Sequence, residues 1–178
     1  MLFDSVSDLP VHITMEDIAV SRPLSPSLLL HSSEEYLLAG KAAHAVLIRH
    51  RAHRGVPTAP VLHLLGRSIE MALKAFLLHS GQSMVAVHSL GSDLRKLRIR
   101  AFEDGMQHVW RPTPLEVAGI DILGALLVSS DFRYGHIASL VPPPFDLAEQ
   151  LASRSLQIAK TQIHDCSRLH GSETHKGR

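Results

Sequence analysis

Residues 61–78 carry the clearest hydrophobic pattern in the chain. Long apolar side chains recur there with helical rather than strand period, and no proline interrupts the run. Four polar residues within it follow each other at helical spacing, so that at about 100° per residue they share roughly 60° of arc. These residues, which we call the charged stripe, are His63, Arg67, Glu70 and Lys74. The pattern predicts a core helix with one charged face.

Four further segments repeat the helical period. They cover residues 34–53, 92–103, 115–130 and 146–169. Glycines and prolines punctuate the chain between them, as is typical of helix ends and interhelical turns. No segment alternates strongly enough to build a sheet. We therefore predict an all-α fold, an antiparallel bundle of about five helices.

The ends of the chain lack this period. Residues 1–33 contain Pro10, Pro23 and Pro26 and predict an irregular N-terminal arm, while the polar residues 171–178 predict a flexible tail. The bundle itself is expected to span residues 34–170. A chain of 178 residues suits one domain that buries roughly 70% of its unfolded surface.

Composition narrows the function classes. The single cysteine, Cys166, excludes an internal disulfide and a cysteine-based zinc cluster. An aromatic content of 4% argues against nucleic-acid readers that stack bases on a sheet. A formal net charge of +1 gives no global signature of nucleic-acid binding. With no secretory signal and no apolar run near the roughly 18 residues of a membrane span, we expect a cytoplasmic protein without membrane association.

Two local clusters remain as candidate sites. The third predicted helix carries a basic run that is either a solvated face or a set of phosphate contacts. The run consists of Arg95, Lys96, Arg98 and Arg100. His50 and His53 are spaced so that they can share a metal ion, but the sequence places no third ligand beside them. We therefore predict neither a metal site nor a cofactor.

Glu70 is the most informative position. A carboxylate within an apolar helix must find a partner, because an unpaired buried charge is too costly to keep. Arg133, just after another apolar helix, is one candidate, and Arg67 and Lys74 are local competitors. Two interpretations stay open. Either Glu70 and Arg133 form a polar staple between helices, or a cleft that receives a phosphate-bearing ligand is lined by Arg67, Glu70, Lys74, Arg133 and Tyr134.

Three blocks of the chain, taken in order, resemble the HEPN superfamily of helical nucleotide-binding domains. The blocks are RSIEMALKAFLLHSG at 67–81, HSLGSDLRKLRIRAFEDG at 88–105 and FRYG at 132–135. The resemblance covers about residues 34–169. It implies a helical bundle that binds a nucleotide, RNA or a partner protein in an RNA-linked or toxin–antitoxin-type system. The resemblance and the abundance of apolar helix surface also suggest a homodimer.

Many members of that family resemble ribonucleases that carry an arginine, four to six residues and a histidine. Arg168 and His175 fit the spacing, but they lie at the end of the last predicted helix and in the tail, where a catalytic pair cannot be held rigidly. Arg100 and His108 are too far apart, and Arg133 and His136 are too close. We therefore expect no strong intrinsic catalysis and assign no catalytic residue.

Two alternatives stay open. One is a metal-independent endoribonuclease of toxin type, which a histidine and an arginine from different helices sharing a cleft with Glu70 would favour. The other is a structural or adaptor bundle in which the charged stripe is buried.

Overall fold

A computed structural model describes the backbone of residues 24–49, 58–129 and 141–171 and the side chains in those ranges as far as His164. The described chain forms six α-helices and one 3₁₀ turn. They are α1 Pro26–Arg49, α2 Ala59–His79, α3 Met84–Ser89, α4 Leu94–Glu103, the 3₁₀ turn Met106–His108, α5 Pro114–Val128 and α6 Phe145–Gly171. These ranges contain no strand, and the predicted all-α class is confirmed.

Helix α2 is the central element, because it contacts each of the other five described α-helices. Twelve of its 21 residues are buried, including Val61, Leu65 and Leu73. A helix at the surface buries only one stripe of its circumference, whereas α2 is covered on most sides. The apolar run at 61–78 therefore forms the core, as its pattern predicts.

Small residues let α1 and α2 approach closely. Ser33 Oγ donates to the carbonyl of Ser68 at 2.8 Å, and Ser68 Oγ donates to the carbonyl of Ser33 at the same distance. Both serines are fully buried, so each hydroxyl satisfies its donor inside the core. At Gly40, an added Cβ would lie 2.9 Å from Leu65 Cδ2, so the helices cross closely enough that a side chain there would require Leu65 to shift.

The first helix begins at Pro26 rather than at Glu34, so its predicted start was wrong. Proline fits the first position of a helix, where its missing N–H would have no intrahelical acceptor. Ser25 caps the helix, because its Oγ accepts a hydrogen bond from Leu28 N at 3.2 Å. Residues 26–33 are thus helical, and residues 1–23 of the predicted arm lie outside the described part of the chain.

The segment between α2 and α4, expected to be an interhelical turn, contains a further short helix. This is the six-residue helix α3, whose N-cap Ser83 accepts a hydrogen bond from Ala86 N at 3.2 Å. The N-cap of α4 is Asp93, whose carboxylate accepts a hydrogen bond from Lys96 N at 3.1 Å. The Ser92 hydroxyl is used elsewhere, as described below.

Helix α5 starts with a capping box that also ties it to α6. Thr113 Oγ1 accepts from Glu116 N, and Glu116 Oε2 accepts from Thr113 N at 2.7 Å. The second carboxylate oxygen accepts from Arg154 Nη1 at 2.8 Å. Burial acts to raise the pKa of Glu116, but these hydrogen bonds and the Arg154 charge outweigh it and hold the pKa below its ordinary value of 4.5.

Candidate functional site

The Glu70 carboxylate is 1% exposed and is held by three polar partners. Arg67 Nη1 donates to Oε2 at 2.7 Å, one helical turn before it, and Lys74 Nζ donates to Oε1 at 2.7 Å, one turn after it. Ser92 Oγ, in the loop before α4, donates to Oε1 at 3.1 Å and accepts from Arg67 Nη1 at 3.1 Å. Arg67 and Lys74, the two cations that helical spacing places beside Glu70, are therefore its charged partners among the described residues.

This network lies on the wall of a cleft with a volume of about 300 Å³. One side of the cleft is the part of α2 that carries Arg67, Glu70 and Lys74, and α3 forms the facing side. A third side is formed by Leu24, just before α1, and Leu29 within it. The residues that line it are Leu24, Leu29, Arg67, Glu70, Met71, Lys74, Leu78, Met84, Val87, His88, Gly91 and Ser92. We call this space the α2–α3 cleft.

The α2–α3 cleft combines apolar walls with unused hydrogen-bond donors. Within the described residues, the hydrogen bonds of Arg67 to side chains use only Nη1, which leaves the N–H groups of Nη2 and Nε. Lys74 likewise uses one of its three ammonium protons on Glu70. The Arg67 and Lys74 side chains are 31% and 16% exposed, so both reach the cleft surface. The arrangement can accept an oxyanion beside an apolar group.

His63, the first member of the charged stripe, does not line the α2–α3 cleft. Its imidazole is partly buried, and the pKa is lowered from its ordinary value of 6.5, first by burial and then by the positive charge of Arg67. The nearby Glu70 carboxylate acts in the opposite direction but does not outweigh them. His63 is therefore held towards its neutral form.

The basic run on α4 does not act as one surface. Arg98 is directed to α5, where its Nη2 donates to Asp121 Oδ1 at 3.0 Å, and only 13% of its side chain is exposed. Arg100 lies 3.5 Å from both Glu103 and Asp104, and Lys96 lies 3.6 Å from Asp93. Arg95 is exposed. None of these four residues lines the α2–α3 cleft.

Several predicted residues lie outside the described part of the chain. They are Arg133 and Tyr134 of the ligand set, His50 and His53, His136 and His175, and the side chains of Cys166 and Arg168. The sequence pattern did not single out Ser92 or His88 as site residues. Ser92 reaches Glu70 from 22 positions away, a contact that no local spacing signals. His88 begins the second resembling block and is one of the histidines that the endoribonuclease alternative could use.

Within the described side chains, no group of three or more histidine, cysteine, aspartate or glutamate residues is placed to hold a metal ion. No described helix has the length and apolarity needed to cross a bilayer. Comparisons of the chain with protein-family models, with curated proteins and with solved structures find no match.

Proposed function

We propose that the chain is a HEPN-like helical domain that binds a nucleotide or RNA by a phosphate group in the α2–α3 cleft, without strong intrinsic catalysis. The observation that carries the proposal is the position of Arg67 and Lys74 at the cleft surface, with donors that no described residue uses after both have bonded Glu70. Two cations against one carboxylate leave the network with excess positive charge. The resemblance of the sequence blocks to nucleotide-binding domains supports the same ligand class.

The geometry favours a phosphate beside an apolar group over a bare anion. An arginine fork and a lysine point charge are the side chains that most often contact phosphate. Met71 and Leu78 lie on the same face of α2 and line the cleft, where they offer contact area for the flat ring of a base. A volume of about 300 Å³ is of the size found for small-ligand pockets.

Binding of a fluorescently labelled single-stranded RNA, followed by anisotropy at two salt concentrations, tests the proposal. We expect binding that weakens with salt and that falls about tenfold or more in Arg67→Ala and in Lys74→Ala, because each removes a charge-assisted hydrogen bond. Arg95→Ala is the matched control, because it removes an exposed arginine that does not line the cleft. A mononucleotide added as competitor shows whether one phosphate and one base suffice.

Glu70→Gln makes the test sharper, because it keeps the shape of the side chain and removes the charge that competes for both cations. We expect this variant to bind RNA more tightly than the parent, whereas Arg67→Ala binds less tightly. Each variant is first checked for helicity by circular dichroism. The proposal fails if RNA binding is undetectable, or if Arg95→Ala weakens it as much as Arg67→Ala. Capture of a stable protein partner without nucleic acid would then favour the adaptor alternative.

One observation favours a second candidate function, a metal-independent endoribonuclease. His88, on α3, lines the cleft together with Arg67 and Glu70 on α2, so a histidine and an arginine from different helices share it. In such an enzyme, His88 would accept the proton of a ribose 2′-hydroxyl as its oxygen attacks the adjacent phosphorus. The 5′-oxygen would leave with a proton from solvent, and Arg67 would stabilise the added negative charge.

Incubation of the protein with RNA in the presence of a metal chelator tests this second function. A ribonuclease would yield fragments that end in 2′,3′-cyclic phosphate, detected by mass spectrometry, and His88→Ala would abolish them. His108→Ala is the control, because His108 is exposed on the 3₁₀ turn and does not line the cleft. Intact RNA under conditions where the anisotropy assay detects binding would exclude this function and leave the binding proposal standing.

A further inference from the structure

Helix α1 carries an apolar face that the other described residues leave exposed. Leu38 and Val46 are 61% and 49% exposed, and Ala39, Ala42 and Ala45 between them are exposed as well. At about 100° per residue, these five positions fall on one side of the helix. The opposite side of α1 packs against α2, so the apolar face is a separate surface. We call it the outer face of α1.

Charged residues of opposite sign stand at the two ends of the outer face. Glu35 lies one turn before Leu38, and its side chain is 65% exposed, beside His31 at 3.2 Å. Arg49 lies one turn after Ala45 and is exposed. Within the described residues, Arg49 forms none of the ion pairs. Positions 35, 38, 42, 45 and 49 alternate steps of three and four, which is the spacing of a seam between two packed helices.

We infer that the outer face of α1 is the contact between two copies of this chain, with the two α1 helices antiparallel about a twofold axis near Ala42. In that arrangement, a residue before Ala42 in one copy faces the residue that lies the same number of positions after Ala42 in the other copy. Leu38 then packs beside the partner's Val46, and Glu35 stands opposite the partner's Arg49. The pattern of the face is therefore complementary to itself.

Charge complementarity selects the antiparallel pairing of the two copies. A parallel pair of the same helices would place glutamate against glutamate and arginine against arginine, which is unfavourable. In the antiparallel pair, Glu35 of each copy instead faces Arg49 of the other copy, so both contacts become ion pairs. Alanines at the centre allow the two helix axes to approach towards the short end of the usual 8–10 Å range. The face is also distinct from the α2–α3 cleft, so the inference does not depend on the proposed function.

Sedimentation velocity of the full chain over a range of protein concentrations tests the inference. We expect a dimer whose self-association weakens about tenfold or more in Ala42→Glu, because two like charges would meet at the twofold axis. Ala118→Glu is the matched control: it adds the same charge to an exposed alanine of α5 and should leave self-association unchanged. Ala42→Glu replaces an exposed residue, so the fold should survive, as circular dichroism will check.

A charge exchange identifies the orientation. Glu35→Lys and Arg49→Glu should each weaken the dimer, whereas the two changes combined should restore it. As an independent measurement, Ala42→Cys in a Cys166→Ser background should form a disulfide-linked dimer under mild oxidation, and Ala118→Cys should not. A parent chain that stays monomeric, as it would if residues 1–23 covered the face in the same copy, overturns the inference. So does a dimer that Ala42→Glu leaves intact.

Discussion

At the scale of single residues, the α2–α3 cleft depends on the unequal burial of an anion and its two cations. Glu70 is 1% exposed and cannot reach water, whereas Arg67 and Lys74 are 31% and 16% exposed and can turn outward. If the Glu70 charge is removed, the Arg67 and Lys74 side chains can therefore turn outward and be hydrated. If Arg67 and Lys74 are both removed, the buried Glu70 carboxylate cannot turn outward in the same way, and Ser92 is its remaining partner.

This asymmetry predicts the order of three variants in urea unfolding. Glu70→Gln should cost about 1–2 kcal/mol of unfolding free energy, because the amide keeps some of the hydrogen bonds. The double change Arg67→Ala and Lys74→Ala should cost about 3–5 kcal/mol, because it isolates a buried charge. Adding Glu70→Gln to the double variant should recover much of that loss. A triple variant less stable than the double one would contradict the account.

At the scale of elements, α4 and α5 meet at a glycine. A Cβ added at Gly124 would lie 3.0 Å from Leu94 Cβ and 3.3 Å from the Leu94 backbone nitrogen. Neither atom can rotate away, because both belong to or adjoin the main chain. At Gly119, also in α5, an added Cβ would lie 2.9 Å from Leu151 Cδ1, the mobile end of a side chain on α6.

We therefore predict that Gly124→Ala destabilises the protein by about 1–3 kcal/mol, since the two helices must move apart and the cost of overpacking exceeds the gain in helix propensity. Gly119→Ala should be close to neutral, because Leu151 can change rotamer. Thermal unfolding of the two variants side by side measures the difference. Equal losses would show that the Leu94 contact does not control the spacing of α4 and α5.

The helices also show which contacts a sequence pattern can predict and which it cannot. The helical period located α2 and placed Arg67, Glu70 and Lys74 on one face, because those contacts lie within two turns of one helix. The period gave no sign that Ser92 completes the network, because its position depends on how the chain returns from α3. Pro26 and Ser25 were interpreted as parts of an irregular arm, because proline stops a helix in its interior but favours its first position.

Arg98 shows that the ion-pair partner of a charged residue is equally hard to predict from local sequence. Its place in a run of cations predicted either a solvated face or a phosphate contact, but α5 supplies Asp121 at 3.0 Å. Such a partner, 23 positions away, depends on the packing angle of two helices and not on any local pattern.

At the scale of the whole molecule, stability should respond to mild acid through His63. Its pKa is lowered in the folded state by burial and by Arg67, so the unfolded chain binds a proton more readily. Stability is therefore retained above the ordinary value of 6.5 and is lost as the pH falls below it towards the folded-state pKa. Glu34 and Glu116, whose pKa values are lowered from 4.5 by Lys160 and by the α5 cap with Arg154, add a further loss at lower pH.

The His63 contribution can be isolated by substitution. The free energy of unfolding of the parent should fall more steeply between about pH 7 and pH 5 than that of His63→Gln, because the amide does not titrate. His108→Gln, a change at an exposed histidine outside the core, is the control and should keep the slope of the parent. Parallel curves for the parent and His63→Gln would refute the assignment.

The two walls of the α2–α3 cleft differ in how they are anchored, and this bears on how a ligand enters. Helix α2 buries twelve of its 21 residues, whereas the six residues of α3 bury only Val87. Backbone amides of α2 should exchange with solvent only when the whole domain unfolds, while those of α3 should exchange through local opening. We therefore expect α3 to open locally and admit a ligand while α2 and the rest of the bundle stay folded.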